Sequence, residues 1–452
     1  MVRFGTAGIR GSVTDTVTPS VAVSVGEALG SQEETVVIGR DGRTSGQSIL
    51  QAVSAGVMSA GGTVEDLGIV PTSTVAFASQ HRAGIMVTAS HNPPRDNGLK
   101  LFVDGEELSS AGEKHIETRI ENGQSPAEWQ HWGEFSRQNI LADYRKELHS
   151  YLRELTGKVS ASLSIAVDCG NGTGGLVTPQ LLTDLGADVH TLNGRVDGHF
   201  PARPSKPHKK TLADVAAYVR ASPVDCGFAH DGDADRIVVL DQDGTIVHED
   251  TVLAILAHYY VSQSDVEDPV VVTTINASDR IDDRVIEAGG RVERTRLGGL
   301  HDGISDILAS DPSASVVFAA EPWKHMHPGF GGWIDGIVSA GLLTLIIDQS
   351  GGIEKLRKSI SERPYRKTSI DCATAVRESV MRHLADELER TFPEATIDQT
   401  GGIRLTWQTG WALLRPSGTE PKIRVYIEHD NAAMLEETFV GMVKTVRDER
   451  KA

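Results

Sequence analysis

The sequence predicts an α/β protein: three similar α/β units, then a smaller α+β domain at the C-terminal end. Two observations lead there. A succession of strand, polar turn, helix, glycine stop and strand recurs three times, at intervals of more than a hundred residues. The last quarter breaks that pattern, with three short strands in quick succession and one amphipathic helix. Residue identities barely repeat between the units, so the likeness is architectural.

The chain opens on Phe4-Gly5-Thr6-Ala7-Gly8-Ile9-Arg10-Gly11, where three glycines around one arginine leave a backbone free to approach a ligand. In the first unit Thr35–Gly39 is a strand and Arg40–Ser45 a turn. A helix over Gly46–Ser59 follows, with Ile49, Val53 and Val57 on one face. Gly61-Gly62 stops it and Thr63–Leu67 is the next strand. The second unit runs from the strand Ser164–Asp168 through Gly170-Asn171-Gly172 to a helix over Pro179–Leu185 and the strand Ala187–His190. The third runs from Pro269–Thr273 to a helix over Arg280–Ala288, then Gly289–Glu293. A polar helix, Leu141–Leu155, joins the first two units. Gln130–Gln138, with Trp129 and Trp132 nearby, reads as irregular structure. The C-terminal strands are Ile403–Trp407, Trp411–Arg415 and Ile423–Ile427, and the final helix is Ala432–Arg447. The expected boundaries are 1–148, 149–246, 247–362 and 363–452.

Five stretches carry chemistry. The apolar strand Gly84–Val87 leads into Thr88-Ala89-Ser90-His91-Asn92-Pro93-Pro94, where Asn-Pro and Pro-Pro end it. Ser90 is thereby held at a strand end beside His91. A serine hydroxyl is a poor nucleophile without a base, a metal or a charged cradle. Asp231-Gly232-Asp233-Ala234-Asp235-Arg236 follows the strand Val224–Ala229. If that segment is extended, its three carboxylates project to one side. Their repulsion calls for a divalent cation, and hard oxygen ligands suit Mg²⁺. A calcium loop of the EF-hand kind is excluded, because Arg236 and Gln242 stand where it needs glycine and glutamate. The nearby Asp241-Gln242-Asp243-Gly244 reads as a hairpin turn.

Between two C-terminal strands, Arg415-Pro416-Ser417-Gly418-Thr419-Glu420-Pro421-Lys422 gathers hydroxyls, free amides and cationic ends into a phosphate cradle. Gly170-Asn171-Gly172-Thr173-Gly174-Gly175 has the glycine spacing of a dinucleotide site. The strand after it ends His190-Thr191-Leu192-Asn193, without the required acid, so a structural turn is the better reading. Glu321-Pro322-Trp323-Lys324-His325 follows the strand Val316–Ala319 and brings together a carboxylate, a ring, an amine and an imidazole.

Composition narrows the classes. The chain has 62 Asp and Glu against 44 Lys and Arg, a net charge of −18. That field repels nucleic acid and anionic membranes, so a phosphate ligand needs a local cationic pocket. The acid excess also suits high salt, where close charges are screened. No apolar run is long enough for a membrane span, and the N-terminus has no apolar signal region, so a cytoplasmic location is expected. Cys169, Cys226 and Cys372 are too dispersed for a metal knuckle or a disulfide framework.

Taken together, these residues resemble the α-D-phosphohexomutase family, which includes phosphoglucomutase, phosphomannomutase and phosphoglucosamine mutase. The resemblance runs from Phe4 to the final helix. It rests on four motifs in the family's order: the phosphoserine loop at Ser90, the metal loop Asp231–Arg236, the sugar loop at Glu321 and the phosphate loop Arg415–Lys422. It implies four domains around a central cleft, three related α/β domains with mixed sheets plus a C-terminal α+β domain that closes over the substrate. It also implies a mechanism. Ser90 carries a phosphoryl group, and Mg²⁺ is held by Asp231, Asp233, Asp235 and that group. Phosphoryl passes to a sugar phosphate, and the bisphosphosugar so formed turns over and returns its other phosphoryl to Ser90; the same bisphosphosugar is the activator. Lys100 matches the family's acid/base lysine, and Arg10 and His91 match other positions of the catalytic centre. Arg236, Glu321 and His325 match substrate contacts, and Arg415, Ser417, Gly418 and Thr419 match the clamp on the non-reacting phosphate.

One departure matters. Many relatives carry Glu-x-Ser-Gly-His in the sugar loop, and here Trp323 and Lys324 replace serine and glycine. Glucose, mannose, glucosamine and pentose phosphates all stay open as substrates, as do monomer and homodimer. A metal-dependent phosphatase using the same groups, and a non-catalytic sugar-phosphate binder, are the competing classes. Intact Ser90, Lys100 and three aspartates speak against the binder, and a phosphate loop on a separate closing domain favours the mutase.

Overall fold

The computed structural model describes residues 2–5, 8–158, 160–417 and 420–449. Each expected α/β unit contains the same four-stranded arrangement. In the second unit the order is Ile237–Asp241, Cys226–His230, Ser164–Asp168, Asp188–Leu192. The third sheet holds Lys324–Met326, Ser315–Glu321, Pro269–Thr274 and Arg291–Thr295 in the equivalent order. The first has Asp96–Val103, Ala83–Val87, Thr35–Arg40 and Thr63–Ile69, extended by Ile9–Ser12 and Phe135–Arg137 at its ends and by Glu106–Glu107. In all three the first pair is antiparallel and the other pairings are parallel. The sheets are therefore mixed, and in each the antiparallel pair of this four-stranded set is a hairpin that follows a parallel strand.

Those hairpin turns hold Ser90, the Asp231–Arg236 segment and Glu321-Pro322-Trp323, the stretches expected to serve as phosphoserine, metal and sugar loops. Each holds a non-glycine residue in the left-handed region: Ser90 at φ 48°, Ala234 at 60° and Trp323 at 68°. Such backbone is uncommon outside glycine and clusters at functional sites.

The C-terminal sheet is wholly antiparallel, in the order Tyr365–Asp371, Lys422–His429, Gly410–Pro416, Ile403–Trp407, Thr396–Asp398. The helices Thr374–Thr391 and Ala432–Glu449 share one apolar core with it. The three expected strands and the final helix are present; the outer strands and the helix Thr374–Thr391 are additions. Arg404 ties this domain to the third unit. It donates to Asp279 at 2.8 Å and to the Ile275 carbonyl, and its guanidinium lies 4.4 Å from the Trp411 ring centroid.

The second and third units share a core, centred on the helix Gly336–Ser350, which is buried from Gly336 through Ile347. Asp335 caps that helix by accepting from the Ile337 and Val338 amides, and the Tyr144 hydroxyl donates to it at 2.6 Å. Tyr144, Leu148 and Leu152 of the helix Leu141–Thr156 belong to the same core. The boundary at 148 would cut that helix, so we propose placing it before Leu141 and keep those near 246 and 362.

Two local expectations are corrected. Gln130–Gln138 is not irregular: Trp129–His131 is a 3₁₀ turn, and Phe135–Arg137 pairs in parallel with Thr63–Ile69. Three residues are too few for alternation to show. The aspartate segment is not extended but a tight turn, with Ala234 left-handed. The expected hairpin at Asp241–Gly244 is present, with Gly244 at φ 70°. All three cysteines are free and buried. Among the described residues no helix is long and apolar enough to cross a membrane.

The helices Pro19–Gly30 and Gly46–Ser59 meet at glycines. A Cβ on Gly26 would strike the Val53 carbonyl, and one on Gly56 the Val23 carbonyl. Alanine at 56 gains about 1 kcal/mol of helix propensity, but the obstacle is backbone and cannot swing aside, and overpacking costs about 1–3 kcal/mol. Gly56→Ala should therefore lower the thermal midpoint followed by circular dichroism; an unchanged or raised midpoint would contradict this packing.

Candidate active site

The hairpin turns of the first two sheets meet. Ser90 is fully buried, and its hydroxyl donates to Asp231 Oδ2 at 2.6 Å. His91 Nδ1 lies 3.4 Å from Ser90 Oγ. The Ser90 amide donates to Thr88 Oγ1 at 2.8 Å. The Thr88 hydroxyl in turn donates to Asp41 at 2.7 Å and approaches Asp233 at 3.3 Å, while Thr72 donates to Asp233 at 2.6 Å. Small residues permit this closeness. A Cβ at Gly232 would come within 2.7 Å of the Ser90 carbonyl, and one at Gly172 within 2.7 Å of the Asp231 and Gly232 carbonyls. The glycine-rich stretch after Asp168 is thus a structural turn that supports the metal loop, and Thr173 N–H donates to the Gly232 carbonyl at 3.0 Å.

Arg43 shapes the serine loop. It is buried and donates to the carbonyls of Ser90 (2.8 Å), Asn92 (2.8 Å), Pro93 (2.5 Å) and Asp96 (2.9 Å). Its Nε pairs with Asp41 at 2.9 Å, and its guanidinium lies 5.3 Å from the Phe200 ring centroid. A planar five-donor fork can gather that many carbonyls; an ammonium cannot.

Ligand oxygens of Asp231, Asp233 and Asp235 lie within 4.8 Å of one another, and all three residues are buried. Burial, with Asp235 and Asp233 beside it, raises the Asp231 carboxyl well above its ordinary range. Burial also acts to raise Asp235, but Lys100, Arg236, Lys324 and Arg10 hold it well below that range. Asp233 Oδ1 and Asp235 Oδ1 are buried without a hydrogen-bond partner. Convergent hard oxygens, two of them orphaned, fit a divalent metal ion.

Lys100 is buried on Asp96–Val103, opposite Met86. Its ammonium lies 3.1 Å from Glu107 and 3.8 Å from Asp235. Burial acts to lower its pKa, and those two carboxylates together outweigh it, so the group is raised. Arg236 lies 3.9 Å from Asp231 and 3.7 Å from Asp235. Arg10 sits on the neighbouring strand, opposite Gly98, and its buried Nε has no partner. Burial, then the charges of Arg236, Arg10 and Lys206, push His91 down to about 2, so it is a neutral imidazole.

Across the cleft, Arg415 is half-buried, its Nη1 unpartnered, and burial lowers its pKa. Glu321 is near enough for its charge to act on Arg415. The Ser417 amide donates to the Lys422 carbonyl at 2.9 Å, Ser417 Oγ accepts from Glu420 N–H at 3.3 Å, and Arg377 donates to the Ser417 carbonyl at 2.6 Å. Gly418 and Thr419 lie outside the described residues. His325 is fully buried beneath the sugar loop, with Nδ1 2.9 Å from Ser339 Oγ. Burial pushes it down to about 3.

Arg43, Glu107, Lys206 and Arg377 were not among the expected site residues. Arg43 had a signal, since Asp-x-Arg follows the first parallel strand at its carboxyl end, where such sheets place ligand groups. Lys206 lies between Pro204 and Pro207, a stiff loop that also deserved weight.

Residues 1–127 and 142–244 match the families described as phosphoglucomutase/phosphomannomutase, alpha/beta/alpha domains I and II, and residues 377–445 match the C-terminal domain of the same description. A phosphopentomutase from Thermococcus kodakarensis is 40% identical over 99% of this chain and 98% of its own. A probable phosphoglucosamine mutase from Methanopyrus kandleri is 35% identical, with the same coverage of 99% and 98%. Among solved structures, a phosphoglucomutase/phosphomannomutase family protein from Burkholderia thailandensis superposes with a TM-score of 0.85 at 24% identity, covering 99% of this chain and 98% of that one.

Two outcomes follow from this geometry. Arg43→Lys should leave the chain folded but loosen residues 88–96. Each lost charge-assisted hydrogen bond is worth about 1.5–3 kcal/mol, so amide hydrogen exchange there should quicken about tenfold or more; unchanged exchange would remove Arg43 from this role. For His325, the folded pKa lies far below the unfolded value of 6.5. The unfolded chain therefore takes up the proton first, and stability is lost as pH falls below about 6.5. His325→Asn should flatten the fall in stability between about pH 6.5 and 4, measured by urea unfolding; an unaltered slope would mean that the imidazole titrates freely.

Proposed function

The chain belongs to the phosphoglucomutase/phosphomannomutase family, and on that footing we propose that it is a phosphosugar mutase whose phosphoryl carrier is Ser90. It interconverts the 1-phosphate and the terminal phosphate of a hexose, hexosamine or pentose. The observation that carries this reading is the buried Ser90 hydroxyl, 2.6 Å from a carboxylate of a convergent aspartate triad.

The terminal hydroxyl of a sugar 1-phosphate attacks the phosphorus on Ser90 Oγ. One P–O bond forms to the sugar and the bond to Ser90 breaks. Ser90 Oγ gains a proton from Lys100, and the proton that the attacking hydroxyl loses replaces it, so the lysine ends the step as it began. Lys100, kept protonated by Glu107 and Asp235, supplies a proton to the leaving oxygen. The bisphosphosugar turns over in the cleft, and its 1-phosphoryl group goes to Ser90. A small amount of free bisphosphosugar recharges enzyme that has lost its phosphoryl group.

Asp231, Asp233, Asp235 and the phosphoryl group on Ser90 would hold Mg²⁺, which when bound neutralises charge developing on the phosphoryl oxygens. Neutral His91 is a hydrogen-bond partner near Ser90 and adds no charge. Arg10 and Arg236 supply the local positive potential that a chain of net charge −18 otherwise lacks. Arg415 and Ser417, with Gly418 and Thr419, clamp the phosphate that is not reacting. A guanidinium and backbone amides bind phosphate oxygens and ignore the sugar face, so either end of the intermediate can occupy the clamp.

Intact-mass analysis followed by peptide mapping should find a phosphoryl adduct on Ser90. Ser90→Ala should lose turnover, as should chelator-treated wild type, with recovery of the latter on adding Mg²⁺. Full turnover by Ser90→Ala would overturn the carrier assignment.

A further inference from the structure

The sugar loop departs from the family pattern at Trp323 and Lys324, and the structure separates the two. Trp323, in the left-handed region, packs against the apolar cluster of Leu212, Val215, Ala229, Val238 and Leu240 in the second unit, and its side chain acts to lower the Glu249 carboxyl. Its bulk anchors the loop.

Lys324 differs. It opens the strand Lys324–Met326 and bridges to Arg236. Its side chain is only 13% exposed and lines a cavity of about 340 Å³ with Glu107, Arg296, His301 and Glu321. Its charge acts on both Asp235 and Glu107. Its ammonium lies 3.8 Å from Glu321 Oε2, and Glu321 Oε1 accepts from the Gly298 amide. Both oxygens of the sugar-loop carboxylate are therefore engaged. Glu107 is taken by Lys100 at 3.1 Å. Glu113 and Asp302 also line the cavity; Asp302 is paired with Arg296 at 2.5 Å, and burial with the charges of Glu107, Asp302 and Glu117 pushes Glu113 up to about 7.

We infer that Lys324 makes this pocket select an uncharged sugar phosphate and reject hexosamine phosphates. The inference rests on the mutase reading above. A lysine ammonium has three donors and no acceptor. A sugar hydroxyl can accept from it. A sugar ammonium also offers donors only, so the two cannot hydrogen-bond, and at close range in a partly buried site they repel. The carboxylate that would otherwise welcome an amine is already compensated by Lys324 itself. A glycine at this position would impose none of these constraints.

The test compares kcat/KM for ribose 1-phosphate, glucose 1-phosphate and glucosamine 1-phosphate. Each is assayed at pH 6.5, where the sugar amine is charged, with a trace of the matching bisphosphate. Wild type should prefer the better neutral sugar over glucosamine 1-phosphate at least tenfold. Lys324→Met keeps the bulk and removes the charge, and should shrink that preference at least fivefold. Lys324→Gly should shrink it as well, with circular dichroism reporting that each variant is folded. Wild type that turns over glucosamine 1-phosphate as well as the neutral sugars, or a preference unmoved in both variants, would overturn the inference and leave the mutase reading standing. No turnover of any of the three sugars, with Ser90 unphosphorylated, would overturn both.

Discussion

Three buried aspartates share one turn, and the charge they bring has to be balanced without water. Lys100, Arg236, Arg10 and Lys324 supply part of that balance around Asp235. Asp231 is left on the unfavourable side, its carboxyl raised and its oxygen 2.6 Å from the Ser90 hydroxyl. Two of the aspartate oxygens are buried without a hydrogen-bond partner. A hard cation and a phosphoryl group complete such a site naturally, one supplying positive charge and the other further oxygens. The cations around the cleft are therefore a local answer to a problem that the chain's net charge of −18 makes worse.

The loops are delivered to this point by repetition of one topology. In each α/β sheet the second parallel neighbour of the unit's opening strand runs into a hairpin, and the turn of that hairpin faces the cleft. Ser90, Ala234 and Trp323 occupy equivalent places and all three are left-handed. Non-glycine residues in that conformation cost free energy, which the surrounding contacts must offset. For Ser90 the offset is visible in the carbonyl contacts of Arg43. For Trp323 it is the apolar seat on the second unit and the Glu249 contact.

Much of this was legible in the chain. The helix Gly46–Ser59 has its expected ends because its apolar spacing, its polar entry and its Gly61-Gly62 exit all agree. The three units were legible as strand–helix–strand, since long periodic segments signal strongly. The shared strand order was not, because strand pairing depends on contacts far apart in sequence. Short motifs point to Ser90, Lys100 and the aspartates, and the fold brings these residues together. Arg43 was missed because its role lies in carbonyls some fifty residues away, which no local pattern records. His325 illustrates the converse. Its motif position marks it as a candidate substrate contact, but nothing in five residues of sequence reveals that its ring lies fully buried against Ser339.

The central claim is that the phosphoryl group on Ser90 moves to a sugar phosphate and not to water. The most direct measurement labels the enzyme's phosphoryl group isotopically, mixes it in a single turnover with unlabelled sugar 1-phosphate, and separates the products. Label appearing in bisphosphosugar and in the terminal phosphate ester, faster than in inorganic phosphate, is the predicted result. Label appearing chiefly as inorganic phosphate would contradict the account and make this chain a phosphatase built on the same groups.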